Sequence, residues 1–236
     1  MIQIICKDLT LGYDGQVVAS NINFKVNKGD YLCVVGENGS GKSTLIKTLL
    51  QLVRPISGTI EMHNGFTPKQ AGYLPQQTEI QKNFPASVKE VVLSGCSGDK
   101  RGIFFSKKHK ETAELNMKRL GISDIALKSL QDLSGGQQQR VFLARAMCSA
   151  NGALMLDEPI SGLDPLVTSE MYDTLKKINT EDKTTILMVS HDINSAIKYA
   201  THILHIGQNT SFYGSLSEYL KSDLGKSFVK GNLGNA

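Results

Sequence analysis

The sequence feature that most constrains the fold is a glycine-rich stretch at 36–44, which reads GENGSGKST. Its spacing is G-x-x-x-x-G-K-S, and it lies between an apolar run at 31–35 and a helical pattern that begins near residue 45. Because glycine lacks a Cβ, such a stretch can turn sharply and direct several backbone amides toward one ligand. The following helix adds the positive end of its dipole. The sequence therefore predicts a loop that binds a polyphosphate.

The residues of this loop have distinct expected roles. Lys42 is expected to reach the β- and γ-phosphates of a nucleotide, and the Ser43 hydroxyl is expected to bind Mg²⁺. The alternative is a glycine-rich loop that only turns the chain, but the strand before it and the helix after it favour the phosphate loop. The residues predicted to contact the nucleotide are Gly36, Asn38, Gly39, Ser40, Gly41, Lys42, Ser43 and Thr44.

The composition is that of an ordinary globular protein, with 236 residues of which 40% are hydrophobic and 20% are charged. No run approaches the roughly 18 apolar residues of a membrane span, and residues 1–5 lack the basic flank of a signal peptide. We therefore expect a cytosolic protein. The net charge of +4 is spread along the chain and does not indicate nucleic-acid binding. The four cysteines are scattered, and we expect reduced thiols rather than disulfides or a zinc site.

Two adjacent acids follow an apolar run at 153–156, which is typical of a buried parallel strand. The carboxyl edge of such strands is where ligands bind in open α/β sheets. Asp157 is expected to bind Mg²⁺, directly or through water, and Glu158 is expected to polarise the water that attacks the γ-phosphate. The alternative is a strand end with two solvated acids, which the phosphate loop makes the weaker interpretation.

Gln76 and His191 each follow an apolar strand pattern as well. Gln76 could bind Mg²⁺ through its carbonyl or hold the attacking water through its amide, and a solvated loop glutamine is the alternative. His191 could hydrogen-bond the γ-phosphate, whereas a lone histidine is more often structural. Both residues are predicted to take part in hydrolysis, together with Glu158 and Lys42.

A second helix start with anion-binding character lies at 133–137, which reads LSGGQ. Ser134 is the expected N-cap of a helix pattern at 138–150, and the glycine amides point outward from the helix start. The chain thus has one nucleotide pocket but two phosphate-seeking helix starts, and both can be used if two copies meet face to face. The nucleotide contacts predicted here are Ser134, Gly135, Gly136 and Gln137.

The remaining patterns place these motifs along the chain. Tyr13 follows the first strand pattern, and its ring could stack on an adenine; a turn tyrosine packed on the sheet is the alternative. Helical patterns at 86–132 indicate a helical lobe inserted into an α/β core. We also predict that the helix after the phosphate loop runs from 42 to about 52, and that 230–236 is frayed.

Together these motifs resemble those of a known family. The matching set is 36–44, Gln76, 133–137, 154–158, 161–164 and His191, and it resembles the ATP-binding cassette (ABC) ATPases in order and spacing over nearly the whole chain. The five residues at 133–137 separate this family from other phosphate-loop ATPases. Two positions depart from the usual pattern. Ile160 stands where the family often has Thr, Ser or Phe, and Asn151-Gly152 stands where a proline is common, which affects a turn and not the chemistry.

The resemblance implies an α/β fold with three parts. A phosphate-loop NTPase core of the RecA type would carry an N-terminal antiparallel β subdomain and an inserted α-helical signature subdomain. Residues 1–236 would form a single ATPase domain, with the core at 1–85 and 151–236 and the helical subdomain at about 86–150.

The resemblance also implies a function. The chain would hydrolyse ATP with Mg²⁺ as a head-to-tail dimer that sandwiches two ATP molecules. It would sit on the inner face of the cell membrane and drive separate permease subunits, supplied indirectly by an extracytoplasmic solute-binding protein. Nucleic acid is not an expected partner, because superfamily members that act on DNA or ribosomes carry long coiled coils or two cassettes.

The expected cargo comes from a narrower similarity. Residues 73–77, 84–88 and 90–92 are similar to the ATPase subunits of zinc or manganese importers. Importers of iron-siderophores or cobalamin, and exporters, are the alternatives. A regulator that binds ATP without catalysis is a further alternative, against which the intact Lys42 and Glu158 argue.

Overall fold

The computed structural model describes residues 1–13, 15–76, 85–96, 105–191, 197–207 and 211–233, with no description of the side chains at 231–233. The chain forms two compact units, one of Met1–Pro68 with Ile178–Ala236 and one of Lys69–Lys177. Within the described ranges, no helix combines the length and the apolar character that crossing a membrane requires. The predicted division into core and helical subdomain stays a prediction.

The strands and helices are numbered in chain order. The strands are β1 (Ile2–Tyr13), β2 (Gln16–Asn27), β3 (Tyr31–Val35), β4 (Ser57–Met62), β5 (Ala71–Leu74), β6 (Ala153–Asp157), β7 (Thr185–Val189), β8 (His202–Ile206) and β9 (Ser211–Ser215). The helices are α1 (Lys42–Leu49), α2 (Val88–Ser94), α3 (Lys107–Arg119), α4 (Gly135–Ser149), α5 (Pro165–Glu181), α6 (Leu216–Lys221) and α7 (Asp223–Leu233).

The first unit begins with a three-stranded antiparallel sheet in the order β2-β1-β4. In the second half of β2, buried and exposed residues alternate, so one face of the strand, with Ile22, Phe24 and Val26, packs into the core. This sheet confirms the predicted N-terminal antiparallel β subdomain.

A second sheet of the first unit contains β7, β3, β8 and β9 in that order. The strands β7, β3 and β8 are parallel, and β9 is antiparallel to β8. Every residue of β3 and β7 is buried, as expected for strands that are covered on both faces. Because β3 is central, the loop that leaves its carboxyl end starts from a buried strand that has a hydrogen-bonded neighbour on each side.

The helices α6 and α7 follow β9 and contact His205 on β8. The hydroxyl of Tyr219 lies 2.8 Å from Nδ1 of His205, and the ring of Phe228 meets the imidazole edge-on with centroids 4.6 Å apart. The predicted frayed end was wrong for 230–233, since α7 continues to Leu233. Residues 234–236 lie outside the described residues.

The second unit combines a parallel strand pair, β5 and β6, with the helices α2, α3 and α4. The helix α2 buries Val88, Val91 and Val92 along one stripe, and it packs against both α3 and α4. The helices α2 and α3 start with capping boxes in which an N-cap serine, Ser87 or Ser106, exchanges hydrogen bonds with the third helical residue.

One helix end differs from the sequence prediction. The helix α1 ends at Leu49 instead of near residue 52. The cause is local, because Gln51 adopts a left-handed backbone with φ of 59°, which does not continue an α-helix. A non-glycine residue in this conformation is uncommon, and the prediction, which relied on Pro55, did not anticipate it.

Candidate active site

The phosphate loop joins the carboxyl end of β3 to the start of α1, as its spacing predicted. Gly36 and Gly41 have φ of 143° and 95°, a backbone region that side chains with a Cβ rarely adopt. A Cβ on Gly36 would lie 2.1 Å from the carbonyl oxygen of Ile206. The strand β8 therefore fixes the entry of the loop, and only glycine fits there.

Lys42 lies across the loop that it ends. Its side chain is buried, and its ammonium donates to the carbonyl oxygens of Gly36 at 3.0 Å and Glu37 at 2.7 Å. The Ser40 hydroxyl is also buried and has no hydrogen-bond partner among the described residues. A charged donor and an unsatisfied hydroxyl in one loop are the groups that a phosphate would use.

The other loop residues follow the turn into α1. Asn38 and Gly39 are exposed, Ser43 is half-buried and Thr44 is buried. A Cβ on Gly39 would meet no described atom within 4 Å. The loop is therefore open on this side, while its base is packed.

The hairpin of β1 and β2 packs against the base of the loop. A Cβ on Gly41 would lie 3.4 Å from the Cβ of Ala19 and 3.8 Å from a methyl of Leu11. Tyr13 follows Leu11 at the end of β1, and 43% of its surface is exposed. Its ring is thus available to a ligand such as a nucleotide base, and adenine stacking by Tyr13 stays a prediction.

His191 leaves the same sheet edge as the phosphate loop. The strands β3 and β7 are parallel neighbours, with Val34 opposite Val189. The amide of Ser190 donates to the carbonyl oxygen of Val34 at 3.2 Å, which continues the ladder by one residue. His191 comes next and is exposed, so this histidine and the loop both follow the carboxyl ends of paired strands.

A buried histidine lies behind the loop. His205 is paired with Val35 across β3 and β8, and its side chain is buried. Burial lowers the pKa of His205 to about 4, and the positive charge of Lys42 adds to this lowering. The imidazole is therefore neutral at physiological pH and leaves the positive charge of the loop to Lys42.

In the second unit, Gln76 and Glu158 are brought together. The strands β5 and β6 are parallel, with Leu74 opposite Leu156, so the residues two positions later leave the sheet side by side. The amide Nε2 of Gln76 donates to a carboxylate oxygen of Glu158 at 3.1 Å. Sequence spacing predicted a role for each residue, but it gave no information on this pairing.

The two acids at the end of β6 have different surroundings. Asp157 is only 2% exposed, whereas Glu158 is half-buried. Glu158 also has a left-handed backbone, with φ of 52°. A glutamate rarely adopts this conformation, and a strained backbone held in place by its surroundings is common at functional sites.

The helix start at Ser134 has the predicted cap. Ser134 and Gln137 form a capping box, in which the Ser134 hydroxyl accepts from the amide of Gln137 at 3.3 Å and the Ser134 amide donates to the Gln137 side chain at 3.1 Å. Ser134 and Gly135 are exposed, and Gly136 and Gln137 are half-buried. A Cβ on Gly136 would lie 2.7 Å from a methyl of Val167.

A contact that the sequence patterns did not predict links this helix to the strand that carries the two acids. The buried side-chain amide of Gln139 donates to the carbonyl oxygen of Pro159, directly after Glu158. The one sequence signal for Gln139 is its position two residues after the LSGGQ run. The contact relates the start of α4 to the strand end that carries the acids.

The site residues therefore form two groups. The first unit holds Tyr13, the phosphate loop and His191, and the second unit holds Gln76, Asp157, Glu158 and the helix start at 134–137. The segments 77–84 and 97–104 lie outside the described residues, and residues 77 and 84 are the only parts of the stretches resembling metal importers that fall within these segments.

The residues present fit ATP and Mg²⁺. The loop offers a glycine cradle, a buried ammonium and a buried hydroxyl that can donate. Among the described residues, no group of three or more His, Cys, Asp or Glu could hold a metal ion. Magnesium bound with nucleotide phosphates needs only one or two protein oxygens, and Ser43 and Asp157 have oxygens of the required type.

A glycine-rich loop between a central parallel strand and a helix, with an acid-ended parallel strand in the same chain, defines a phosphate-loop nucleoside triphosphatase. A family described as ABC transporter matches residues 19–161, which is more than half of the chain. The chain belongs to the ABC transporter family and is an ATPase of that family.

Two relatives show how far the similarity extends. The chain is 38% identical to the zinc uptake system ATP-binding protein ZurA of Listeria monocytogenes over 218 residues, which cover 88% of this chain and 83% of that protein. It is 36% identical to the manganese transport system ATP-binding protein MntB of Bacillus subtilis over 209 residues, which cover 86% of this chain and 83% of that protein.

A solved structure agrees with the fold. The dimeric structure of MJ0796, a bacterial ABC transporter cassette, superposes with a TM-score of 0.76 at 25% sequence identity. The match covers 90% of this chain and 98% of that one. The predicted fold class is thus confirmed.

Proposed function

We propose that this chain is the ATP-hydrolysing subunit of an importer for a divalent metal ion, zinc or manganese, whose permease is a separate membrane protein. Hydrolysis is supported chiefly by one observation, the hydrogen bond that holds the Glu158 carboxylate beside Gln76 at the end of β6. The cargo is supported by the relatives, of which one is named for zinc uptake and another for manganese transport.

We assign the phosphate-binding role to the loop at 36–44. Its amides and the positive end of the α1 dipole attract the anion, and Lys42 contributes the charge that pairs with the β- and γ-phosphates. The Ser40 hydroxyl gains the hydrogen-bond partner that it lacks among the described residues. Tyr13 stacks on the adenine, for which its exposed ring is suited.

We assign the hydrolytic role to the polar residues at the strand ends. Mg²⁺, when bound, neutralises phosphate charge and orients the triphosphate. Ser43, Gln76 and Asp157 would hold it through a hydroxyl, an amide carbonyl and a carboxylate. Glu158 accepts the proton of the attacking water, and His191 donates a hydrogen bond to the γ-phosphate.

We infer that two copies act together. The start of α4 presents backbone amides and the Ser134 cap at the surface, and such a helix start favours an anion. Each ATP would meet the phosphate loop of one copy and 134–137 of the other, so that closure excludes water and completes the site. The solved structure of a related cassette is dimeric, which supports the pairing of two copies.

We further propose that the chain works at the inner face of the cell membrane. It would bind permease subunits there and receive its cargo indirectly from an extracytoplasmic solute-binding protein. The family membership supports these partners, and the expectation of a cytosolic chain is part of this proposal.

The first test separates hydrolysis from binding. Glu158→Gln keeps the size of the side chain and one oxygen that can accept from Gln76, but removes the base, so we expect ATPase activity to fall by about 10²-fold or more with ATP affinity retained. Glu114→Gln, an exposed position on α3, is the matched control and should keep full activity. Full turnover by the Glu158 variant would remove this residue from its role.

The second test addresses the cargo. Cells that lack this chain should lose zinc or manganese, measured by elemental mass spectrometry, and the intact chain should restore the metal while the Glu158→Gln variant should not. A loss confined to iron, or metal levels that do not change, would contradict the import of zinc or manganese but would leave the ATPase assignment intact.

A further inference from the structure

We propose that Cys96 and Cys148 form a redox-responsive thiol pair that closes to an intramolecular disulfide. The bond would join the turn after α2 to the last turn of α4 within the second unit. This pair takes no part in the nucleotide chemistry described above. It would be a modification site whose reactant is a low-molecular-weight disulfide such as oxidised glutathione.

The close approach of two backbones brings the thiols together. A Cβ on Gly95 would lie 2.1 Å from the carbonyl oxygen of Arg145 and 3.0 Å from the Cβ of Cys148. Next to this contact, Nε of Arg145 donates to the Ser94 hydroxyl at 2.9 Å. Cys96 follows Gly95 directly, and its thiol forms a hydrogen bond to the sulfur of Cys148.

Buried polar groups surround the two sulfurs. Asn116 on α3 is only 5% exposed, and its side-chain amide donates to the sulfur of Cys148 at 3.4 Å. The sulfur of Cys96 lies 3.7 Å from the carbonyl oxygen of His109. An amide donor directed at a sulfur favours its thiolate, which is the form that attacks a disulfide.

Burial opposes this effect and makes the pair slow at neutral pH. Burial raises the pKa of the Cys148 thiol, and the hydrogen bonds from Asn116 and Cys96 lower it by less. Because only the thiolate reacts, the rate of oxidation should rise with pH while the thiol is mostly protonated. The pair is therefore suited to a sustained oxidising condition and not to a brief one.

Exposure sets the order of the two steps. Cys148 is half-buried and Cys96 is buried, so Cys148 meets the small disulfide first. Its thiolate attacks one sulfur and releases one glutathione thiolate, which leaves a mixed disulfide. Cys96 then loses its proton, attacks the Cys148 sulfur and releases the second glutathione. The two protein thiols lose two electrons and two protons, and one glutathione disulfide becomes two thiols.

The other two cysteines provide internal controls. Cys6 on β1 and Cys33 on β3 are 2% and 0% exposed, and both lie in the first unit. Burial raises the pKa of Cys6 to about 12 and that of Cys33 further. Both thiols should stay reduced under conditions that oxidise the pair.

The experiment uses the full chain in glutathione buffers that range from reduced to oxidised. After acid quenching, alkylation and tryptic digestion, mass spectrometry should find the peptides 90–100 and 146–176 joined, with two of the four thiols lost. The oxidised protein should melt about 5 °C or more above the reduced protein, since a disulfide restricts the unfolded chain. Dithiothreitol should reverse both changes.

Three variants and three results decide the proposal. Cys96→Ser and Cys148→Ser should each abolish the joined peptides, while Cys33→Ser should leave them in place. Four thiols that remain alkylatable in every buffer would overturn the proposal. A joined pair that links two chains would overturn it as well, and so would a glutathione adduct on Cys148 that never resolves.

Discussion

Gly36 is the residue at which the phosphate loop has least room for change. Its backbone lies in a region that other residues rarely adopt, and the carbonyl of Ile206 occupies the space that a Cβ would need. The neighbouring Ser40 hydroxyl would lie 3.0 Å from the same Cβ. The entry of the loop is therefore determined by packing against β8 before any nucleotide binds.

We expect Gly36→Ala to destabilise the protein by about 2 kcal/mol or more, because a backbone strain and a steric clash act together. The variant should also bind ATP more weakly. Thermal denaturation and nucleotide titration measure these effects. The matched control is Gly121→Ala, where φ is 65° but a Cβ would meet no described atom within 4 Å. A Gly36 variant as stable as this control would contradict the clash.

His205 gives the first unit a specific sensitivity to acid. Its pKa is about 4 in the folded chain and about 6.5 when unfolded, so the unfolded state binds the extra proton more readily. The contribution of the neutral imidazole is fully present above pH 6.5, falls as the pH drops below that value, and levels off near pH 4. The loss should reach about 3 kcal/mol.

The measurement is the free energy of unfolding as a function of pH. His205→Gln should flatten the curve between pH 6.5 and 4, because no group at that position then titrates. Equal slopes in the parent and the His205 variant would show that another group controls the acid response.

At the scale of the elements, two capping boxes in the same unit offer a direct comparison. Ser134 caps α4, and Ser106 caps α3, each by accepting from the amide three residues on. The capping box of Ser134 lies at the helix start that we propose to contact the ATP held by the other copy. The capping box of Ser106 has no proposed ligand. Loss of a cap and loss of a binding group can therefore be separated.

We expect Ser134→Ala and Ser106→Ala each to lower the free energy of unfolding by about 1 kcal/mol, since each helix loses the same kind of cap. Only the Ser134 variant should also lose ATPase activity, as it removes a hydroxyl assigned to the nucleotide. Chemical denaturation and a steady-state ATPase assay measure the two effects. Equal activity in the two variants would remove Ser134 from the binding site.

The sequence predicted most elements because local patterns determine them. The glycine spacing at 36–44, the Ser134 cap and the apolar run before Asp157 each depend on residues close together in the chain. The helix end at Leu49 could not be predicted in this way, because it depends on an uncommon backbone angle at Gln51. The sequence patterns predicted no helix at 223–233, because the glycines there are poor helix formers. The contact of Phe228 with His205 joins residues that are far apart in the sequence, so no local pattern shows it.

The candidate site was predicted by residue type, but its pairings were not. Gln76 and Glu158 are 82 residues apart, and they meet only because β5 and β6 are parallel neighbours in one register. No pattern within either segment contains that information. The contact between Gln139 and the carbonyl of Pro159 is similar, since it depends on how α4 packs.

At the scale of the whole molecule, the proposed assembly makes each chain dependent on its partner. A chain with Lys42→Ala lacks a functional phosphate loop, and a chain with Ser134→Arg lacks a functional helix start. Each variant alone should be inactive. When they are mixed, a heterodimer places the intact loop of one chain opposite the intact helix start of the other.

We therefore expect the mixture to regain ATPase activity that neither variant has alone. Steady-state hydrolysis measured against the total protein concentration tests this expectation, and each variant alone at the same total concentration is the control. A mixture that stays inactive while the variants still associate would contradict the shared site.

The backbone of Glu158 has a consequence for how this protein can change over time. Asparagine tolerates a left-handed φ better than glutamate does, so a Glu158→Asn chain would relax a local distortion as it lost its base. In a gene copy that no longer has to encode an active ATPase, we expect substitutions such as Glu158→Asn to be accepted, because they give a more heat-stable but inactive chain. We therefore expect heat stability and ATP hydrolysis to make opposite demands on residue 158.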